Sequence, residues 1–125
     1  MESEKLKIYK NRLFVSDLIF DVLTDKITVL EALSRFPKDN NDINIKCAFD
    51  ALTHREADED MRQKISDYAI VQDDYLIDIA NMLKENQRFP DEYIQNYIKY
   101  HNDTLISEEE NFKSILKKIK RMINF

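Results

Sequence analysis

Acidic and imidazole side chains recur on one predicted helix at the four-residue spacing that places them on the same face. Asp50, His54 and Asp58 follow one another at this interval, and Glu56 and Glu59 lie beside them. Residues four apart on a helix are neighbours in space, so these side chains can converge on one point. Divalent cations accept carboxylate oxygens and imidazole nitrogens as ligands. The pattern therefore allows a metal site, although a solvated acidic helix face is the simpler interpretation.

Glu56 and Glu59 form an E-x-x-E motif. This motif resembles the first half of the metal-binding pattern in the all-α nucleoside triphosphate pyrophosphatases of the MazG and dUTPase type. Those families continue with an E-x-x-D motif on the next helix, whereas this chain has two aspartates four residues apart. The resemblance implies a metal-dependent nucleotide phosphohydrolase with Mg²⁺ or Mn²⁺ held by Glu56, Glu59, Asp74 and Asp78. It requires these carboxylates to face one another across two helices.

The rest of the sequence offers few groups for catalysis. Glycine is absent from the chain, and the common phosphate-binding loops need glycine to let the backbone approach a phosphate. The single cysteine, Cys47, has no histidine within a few residues, which indicates a packed thiol rather than a nucleophile. No serine stands in a recognisable nucleophile motif. We therefore expect a non-catalytic protein without a cofactor, with the metal-dependent enzyme as the alternative.

A predicted helix late in the chain carries a candidate surface for binding protein. Tyr93, Tyr97 and His101 line one face of it, and Ile94 and Ile98 line the adjacent face. This is more apolar surface than a short helix needs to dock on its own domain. Either the helix is wedged between neighbouring helices, or part of it contacts a protein partner or a second copy of the chain. Tyr93, Tyr97 and His101 are the candidate contact residues.

The net charge and the hydropathy of the chain limit which other classes of partner we expect. The net charge of −5 disfavours general binding to nucleic acid or anionic lipid. No apolar run approaches the roughly 20 residues of a membrane span, and the lone cysteine cannot form an internal disulfide, so we expect a cytoplasmic protein. A third and weaker hypothesis is a nucleic-acid contact through the cations of the predicted last helix, which are Lys113, Lys117, Lys120 and Arg121.

Helices must position all of these side chains. With no glycine and two prolines, the chain lacks the punctuation of strands and tight turns, which predicts an all-α fold. The longest amphipathic pattern predicts a central helix over about residues 60–86 that is buried against other helices. Its stripe comprises Ile65, Tyr68, Ala69, Gln72, Tyr75, Leu76, Ile79, Met82 and Leu83. We expect an irregular bundle of five to six helices around it, in one domain of residues 1–125.

Capping signals and prolines delimit the shorter helices. Thr28 and Glu31 have the spacing of a capping box, and Ser107 and Glu110 repeat it before the last helix. Pro90 suits the first turn of the tyrosine-bearing helix. The expected shorter helices span Glu4 to about Thr24, Val29 to Phe36, Ile43 to about Glu56, Pro90 to Asn102, and a last helix that includes Phe112 to Ile123.

Two features leave alternatives open. The acidic run from Glu56 to Asp60 can continue the third helix into the central one or interrupt it, and we favour an interruption. The tripeptide Arg35-Phe36-Pro37 recurs 53 residues later as Arg88-Phe89-Pro90. Two separate helix ends, each followed by proline, explain this better than an old duplication.

Overall fold

The structure, a computed structural model, describes residues 3–38 and 40–103, and for residues 100–103 it describes the backbone alone. These residues form six α-helices and contain no β-strand, which confirms the predicted all-α bundle. In chain order the helices are α1 (Glu4–Leu23), α2 (Val29–Ser34), α3 (Ile43–Ala57), α4 (Glu59–Lys64), α5 (Ser66–Lys84) and α6 (Asp91–Asp103). Outside the described residues lies the predicted last helix, with Ser107, Glu110, Lys113, Lys117, Lys120 and Arg121.

Local capping explains where the first two helices begin. The side chain of Ser3 accepts a hydrogen bond from the Leu6 amide at the start of α1. The Thr28 hydroxyl accepts one from the Glu31 amide over 3.1 Å, as the capping box predicts. Each cap satisfies an amide that has no partner inside its helix, which stabilises a helix start by about 1 kcal/mol. α2 ends at Ser34, two residues earlier than expected, and Phe36 beyond its end is buried in the core, where it is 7% exposed.

The predicted central helix is divided into two. The expected interruption lies at Asp58, which ends α3, and α4 follows directly. A second break, which the sequence did not predict, lies at Ile65, whose φ of −125° and ψ of 98° are extended. It lets the short α4 fold back beside α5, where the guanidinium of Arg62 donates to the Ala69 carbonyl over 3.2 Å. The helical periodicity continues across Ile65, so hydropathy alone does not show the break.

α1 and α5, the two longest described helices, pack against each other in opposite directions. The Ser16 hydroxyl in α1 donates a hydrogen bond to the Ala80 carbonyl of α5 over 2.8 Å. One turn earlier in α1, the guanidinium of Arg12 donates to Asn86, just beyond the end of α5, over 2.9 Å. The apolar core joins these helices to α2, α3 and α6. From α1 and α5 it takes Val15, Leu18, Ile19, Val22, Leu76, Ile79, Ala80 and Leu83.

α3 contacts each of the other described helices. Near its start, the buried Asn44 donates through Nδ2 to the Gln87 carbonyl over 2.7 Å and accepts through Oδ1 from the Phe89 amide over 3.0 Å. Near its end, Nε of Arg55 donates to Asp73 of α5 over 3.1 Å. α3 therefore runs antiparallel to α5. Because Phe89 lies two residues before α6, the Asn44 contacts also help to position the start of α6.

The start of α3 is also tied to α1. Nε and Nη2 of Arg12 donate to the two carboxylate oxygens of Asp42 over 2.7 and 3.0 Å, a bidentate ion pair. Asp42 in turn caps α3 through the Asn44 amide. Asn86, the other partner of Arg12, has a φ of 58°, and Asp25 after α1 has a φ of 60°. In a chain without glycine, Asn and Asp occupy these left-handed positions because their short polar side chains tolerate them best.

The two copies of the Arg-Phe-Pro tripeptide lead to different geometry. Phe36 and Phe89 are both buried. α3 begins at Ile43, well after the first copy, whereas α6 begins directly after the second copy. A constant offset would align the start of α3 with the middle of α6. This supports two separate helix connections rather than a repeated structural unit.

Candidate functional site

The tyrosine-bearing helix α6 turns its described aromatic rings toward its own domain. The Tyr93 ring centroid lies 4.9 Å from that of Tyr75 and 6.2 Å from that of Phe89. Tyr97 is half-buried and packs against the core. Burial, followed by nearby negative charge, raises the pKa of both the Tyr93 and Tyr97 phenols above the ordinary value. These two candidate residues therefore lie at an internal helix interface, whereas the side chain of His101 is outside the described residues.

A cavity of about 200 Å³ lies beneath α6, between α3 and α5. Its lining includes Cys47, Asp50, His54 and Tyr97. Burial and then the charges of Asp50 and Asp42 raise the pKa of the Cys47 thiol to about 11. The thiol is 3% exposed, and only the thiolate is a strong nucleophile. Cys47 is thus a packed side chain in this cavity, as the sequence indicates.

The predicted cluster of Asp50, His54 and Asp58 does not form one site, although His54 and Asp58 line a common cavity of about 230 Å³ between α3 and α5. Nε2 of His54 lies 3.2 Å from a carboxylate oxygen of Asp50. Asp58 instead turns toward α5, where its carboxylate accepts hydrogen bonds from the Tyr68 hydroxyl over 2.5 Å and from Nε2 of Gln72 over 2.9 Å. The hydrogen bond to Asp58 and burial raise the pKa of the Tyr68 phenol. The three side chains do not converge on a common point.

The four carboxylates of the metal hypothesis lie on different surfaces. Glu56 and Glu59 line an open cleft of about 930 Å³ that faces the connection between α1 and α2. Asp74 and Asp78 are exposed on α5, and Asp78 is close enough to Tyr93 to raise the pKa of that phenol. Within the described residues, no three His, Cys, Asp or Glu side chains are grouped so that they could hold a metal ion. Asp74 and Asp78 are exposed on α5, so they do not face Glu56 and Glu59 across a pair of helices as the hypothesis requires.

Sequence reasoning missed a polar network that joins α3, α4 and α5. Asp73 accepts hydrogen bonds from Nε of Arg55 and from Nη2 of Arg62, each over 3.1 Å. Nη1 of Arg62 also donates to Oε1 of Gln72 over 2.9 Å. Burial of the Asp73 carboxyl alone would raise its pKa, but the hydrogen bonds and charges of the two arginines hold its pKa below the ordinary value. The partners are distant in sequence, so spacing gave no signal of this network.

Sequence reasoning also missed an exposed apolar surface on α4 and α5. Its most exposed members are Val71 at 67%, Ile70 at 57% and Ile65 at 51%. We use the name α4–α5 ridge for the exposed large apolar residues of α4, α5 and the connection between them, which are Met61, Ile65, Ile70, Val71 and Ile77. The sequence does contain a signal, because α5 carries apolar residues outside its predicted buried stripe, and such a helix needs contacts on more than one side.

Acidic residues accompany the ridge along α5. Asp67, Asp74 and Asp78 are all exposed on this helix. Asp67 and Asp74 are seven residues apart, as are Ile70 and Ile77, and an interval of two helical turns keeps each pair on one side of the helix. The outer surface of α5 therefore combines apolar contact area with negative charge.

Comparisons with protein-family models, with curated proteins and with solved structures found no match. In the part of the chain that the structure describes, no helix is both long enough and apolar enough to cross a membrane. The described surfaces on which a function can be argued include the α4–α5 ridge, the cavity beneath α6, the cavity lined by His54 and Asp58, and the cleft beside α2.

Proposed function

We propose that this chain is a non-catalytic protein-interaction domain and that the α4–α5 ridge is its contact surface. The observation that carries the proposal is the exposure of five large apolar side chains within residues 61–77. Large apolar side chains that are exposed beside charged ones on the same helix are typical of a surface that contacts another protein. Covering the ridge removes this apolar surface from water and favours association.

The chemistry of the ridge defines the kind of partner. Its carboxylates, Asp67, Asp74 and Asp78, attract a partner with lysine or arginine at the edge of its own apolar surface. Ile70 and Ile77 lie two turns apart on one side of α5, whereas Val71 projects about 100° away from Ile70. An amphipathic helix with a basic edge can pack along α5 and match both its charge and its apolar side chains.

The tyrosine-bearing helix gives less support to the same function. Tyr93 and Tyr97 contact α3 and α5, so covering them with a partner would gain little new apolar burial. Ile98, which is 40% exposed, is the large apolar side chain of α6 that remains available among its described residues. We therefore assign the contact to the α4–α5 ridge rather than to Tyr93, Tyr97 and His101.

The metal-dependent phosphohydrolase has weaker support than the interaction domain. Its proposed ligands are divided between the cleft, with Glu56 and Glu59, and the outer surface of α5, with Asp74 and Asp78. The interaction domain requires neither Mg²⁺ nor Mn²⁺. We propose that the protein resides in the cytoplasm, where a free thiol such as Cys47 stays reduced.

The Ile70→Ser/Val71→Ser double variant tests the proposed contact. Proteins cross-linked to the wild-type chain in cells would be identified by mass spectrometry, purified and titrated against both forms by calorimetry. Because the ridge contributes apolar contact area, we expect the double variant to bind the identified partner at least tenfold more weakly. Phe14→Ser is the matched control, because Phe14 is 46% exposed but lies on α1, and this variant should bind as the wild type does.

Two results would contradict the proposal. One is equal affinity of the wild type and the ridge variant for every purified partner. The other is a loss of helical circular dichroism in the ridge variant, which would show that Ile70 and Val71 are needed for folding. Since both side chains are largely exposed, we expect their replacement to change the free energy of unfolding by less than about 0.5 kcal/mol.

A further inference from the structure

Three tyrosine rings and one carboxylate line the cavity beneath α6. The rings belong to Tyr75 of α5 and to Tyr93 and Tyr97 of α6, and the carboxylate belongs to Asp50 of α3. The face of an aromatic ring carries partial negative charge, and it attracts a cation that lies within about 6 Å of the ring centre. Aromatic walls beside one carboxylate therefore favour an organic cation over an anionic or neutral ligand.

The charges around the cavity have the sign that such a ligand requires. Its described lining contains Asp50 and no lysine or arginine. Burial, followed by nearby negative charge that includes Asp50, raises the pKa of the Tyr75 and Tyr97 phenols. Nε2 of His54, which also lines the cavity, lies 3.2 Å from a carboxylate oxygen of Asp50. A carboxylate has about four lone-pair sites, so this contact leaves Asp50 able to attract a ligand as well.

The size of the cavity suits a small ligand. Its volume is about 200 Å³, whereas an engineered apolar cavity of roughly 150 Å³ already binds benzene and pockets for drug-sized molecules begin at roughly 300 Å³. Among the described lining residues only Asn96 is exposed, while Asp50 and the three tyrosines are half-buried. A ligand of this size is therefore largely surrounded by protein.

A methylated ammonium group matches these walls better than a metal ion or a primary amine does. A divalent cation needs several oxygen or nitrogen ligands, and no three His, Cys, Asp or Glu side chains of the described residues are grouped for this purpose. A primary ammonium is strongly hydrated and has three N–H donors that need acceptors. A quaternary ammonium has no N–H donor, and its methyl groups pack against aromatic rings, as in the aromatic cages that bind choline and methyl-lysine.

We propose that the cavity beneath α6 binds a small molecule with a methylated ammonium group. Asp50 is the counterion of this group, and Tyr75, Tyr93 and Tyr97 form the aromatic walls around it. Because a quaternary ammonium needs no hydrogen bond, it can lie near Asp50 without displacing His54. The site shares no residue with the α4–α5 ridge, so it is separate from the proposed contact surface.

Titration of the full chain with choline, followed by two-dimensional amide NMR, tests the site. The comparison ligand is the neutral alcohol in which carbon replaces the quaternary nitrogen of choline, because it has the same shape without the charge. We expect saturable binding of choline with a dissociation constant of about 1 mM or lower, and at least tenfold weaker binding of the alcohol. The absence of saturable choline binding, or equal affinity for the two ligands, would overturn the inference.

Variants of Asp50 and Tyr97 test the charge and the aromatic wall separately. Asp50→Asn keeps the shape of the side chain and should bind choline at least tenfold more weakly. Asp17→Asn is the matched control, because it removes an exposed carboxylate of α1 and should leave the affinity unchanged. Tyr97→Leu should bind at least threefold more weakly than Tyr97→Phe, since both lack the hydroxyl and only the second keeps the ring. Equal choline affinities of the wild type and Asp50→Asn, or of the two Tyr97 variants, would contradict the assigned roles.

Two further measurements separate this site from other sources of the ligand and from the proposed function. A peptide with one trimethyl-lysine presents the same group on a protein chain, and its binding tenfold more tightly than choline would overturn the small-molecule assignment. The Ile70→Ser/Val71→Ser variant should bind choline as the wild type does, and Asp50→Asn should bind the purified partner as the wild type does. Loss of choline binding in the ridge variant would contradict the location of the site, whereas failure of the partner contact alone leaves the cavity site unaffected.

Discussion

Asp73 shows how much of this fold depends on single polar side chains. Its carboxylate receives the guanidinium groups of Arg55 and Arg62, whose side chains are 20% and 13% exposed. A partly buried cation that loses its partner carries an uncompensated desolvation cost. The contact also joins the end of α3 and the short α4 to α5, so one residue holds three helices in register.

Replacing Asp73 should therefore destabilise the domain. We expect Asp73→Asn to lower the free energy of unfolding by about 1–2 kcal/mol, measured by urea denaturation at pH 7. Asp74→Asn is the matched control, because Asp74 is the exposed neighbour and its loss should have little effect. Equal effects of the two substitutions would show that the arginine contacts contribute nothing specific.

The same substitution should have an effect that depends on pH. The pKa of Asp73 in the folded protein is lower than the ordinary value of 3.8, so the folded state favours the charged carboxylate. Its contribution to stability is present above pH 3.8 and is lost as the pH falls through the lower folded value. The stability difference between the wild type and Asp73→Asn should thus be constant near neutral pH and shrink below about pH 4, whereas a difference that grows in acid would contradict this assignment.

At the scale of the helices, α6 is an element docked on the rest of the bundle through aromatic contacts. Tyr93 lies between Tyr75 of α5 and Phe89 at the start of α6. Aromatic pairs at these distances add about 0.5–1.5 kcal/mol to the effect of burying their area. The tyrosines of α6 therefore stabilise the domain more than they offer contact area to a partner.

Truncation of Tyr93 distinguishes these two roles. We expect Tyr93→Ala to lower the free energy of unfolding by about 2 kcal/mol, because it removes a half-buried ring and both aromatic contacts. Gln95→Ala, at an exposed position of the same helix, should have little effect on urea denaturation. If Tyr93→Ala instead keeps the stability of the wild type but binds the partner more weakly, the contact surface lies on α6.

The sequence predicted those elements that depend on local interactions. The Thr28 hydroxyl caps α2 from three residues away, as the capping box predicted. The break at Ile65 was not predictable in this way, because Arg62 favours it through contacts with residues up to eleven positions later. A local pattern gives the helices, but partners remote in sequence decide how they fold back on one another.

The same distinction applies to the candidate sites. Helical spacing placed Asp50 and His54 side by side, and the structure brings them to 3.2 Å. Helical spacing could not identify the partners of Asp58, because Tyr68 and Gln72 lie beyond the helix breaks at Asp58 and Ile65. The exposure of Ile70 and Val71 was equally hidden, since a hydrophobic residue on a helix is buried or exposed according to which neighbours pack there, and composition does not specify the neighbours.

For the molecule as a whole, the apolar core is unevenly distributed along the chain. The second half of α5 contains Leu76, Ile79, Ala80 and Leu83, all buried, whereas α4 contains no buried residue. Elements with few buried contacts open locally at lower free energy than the global unfolding transition. The region around α4 is thus a part of the described bundle that opens more readily than the second half of α5.

Native-state hydrogen exchange should reveal this difference. We expect the amides of residues 76–83 to exchange only through global unfolding, and the amides of α4 to exchange at least a hundredfold faster. Adding low concentrations of urea should leave the α4 rates nearly unchanged, because local opening exposes little surface. Equal protection of α4 and residues 76–83 would contradict this description of the core.

The left-handed backbone at Asp25 and Asn86 limits which residues can replace them in this fold. Glycine adopts this conformation most easily, so both positions are places where related chains could carry it. At Asp25, an exposed turn residue, only the backbone has to be preserved. At Asn86 the side chain also receives Arg12, so variation at position 86 is expected to be accompanied by variation at position 12, whereas position 25 is free to vary alone.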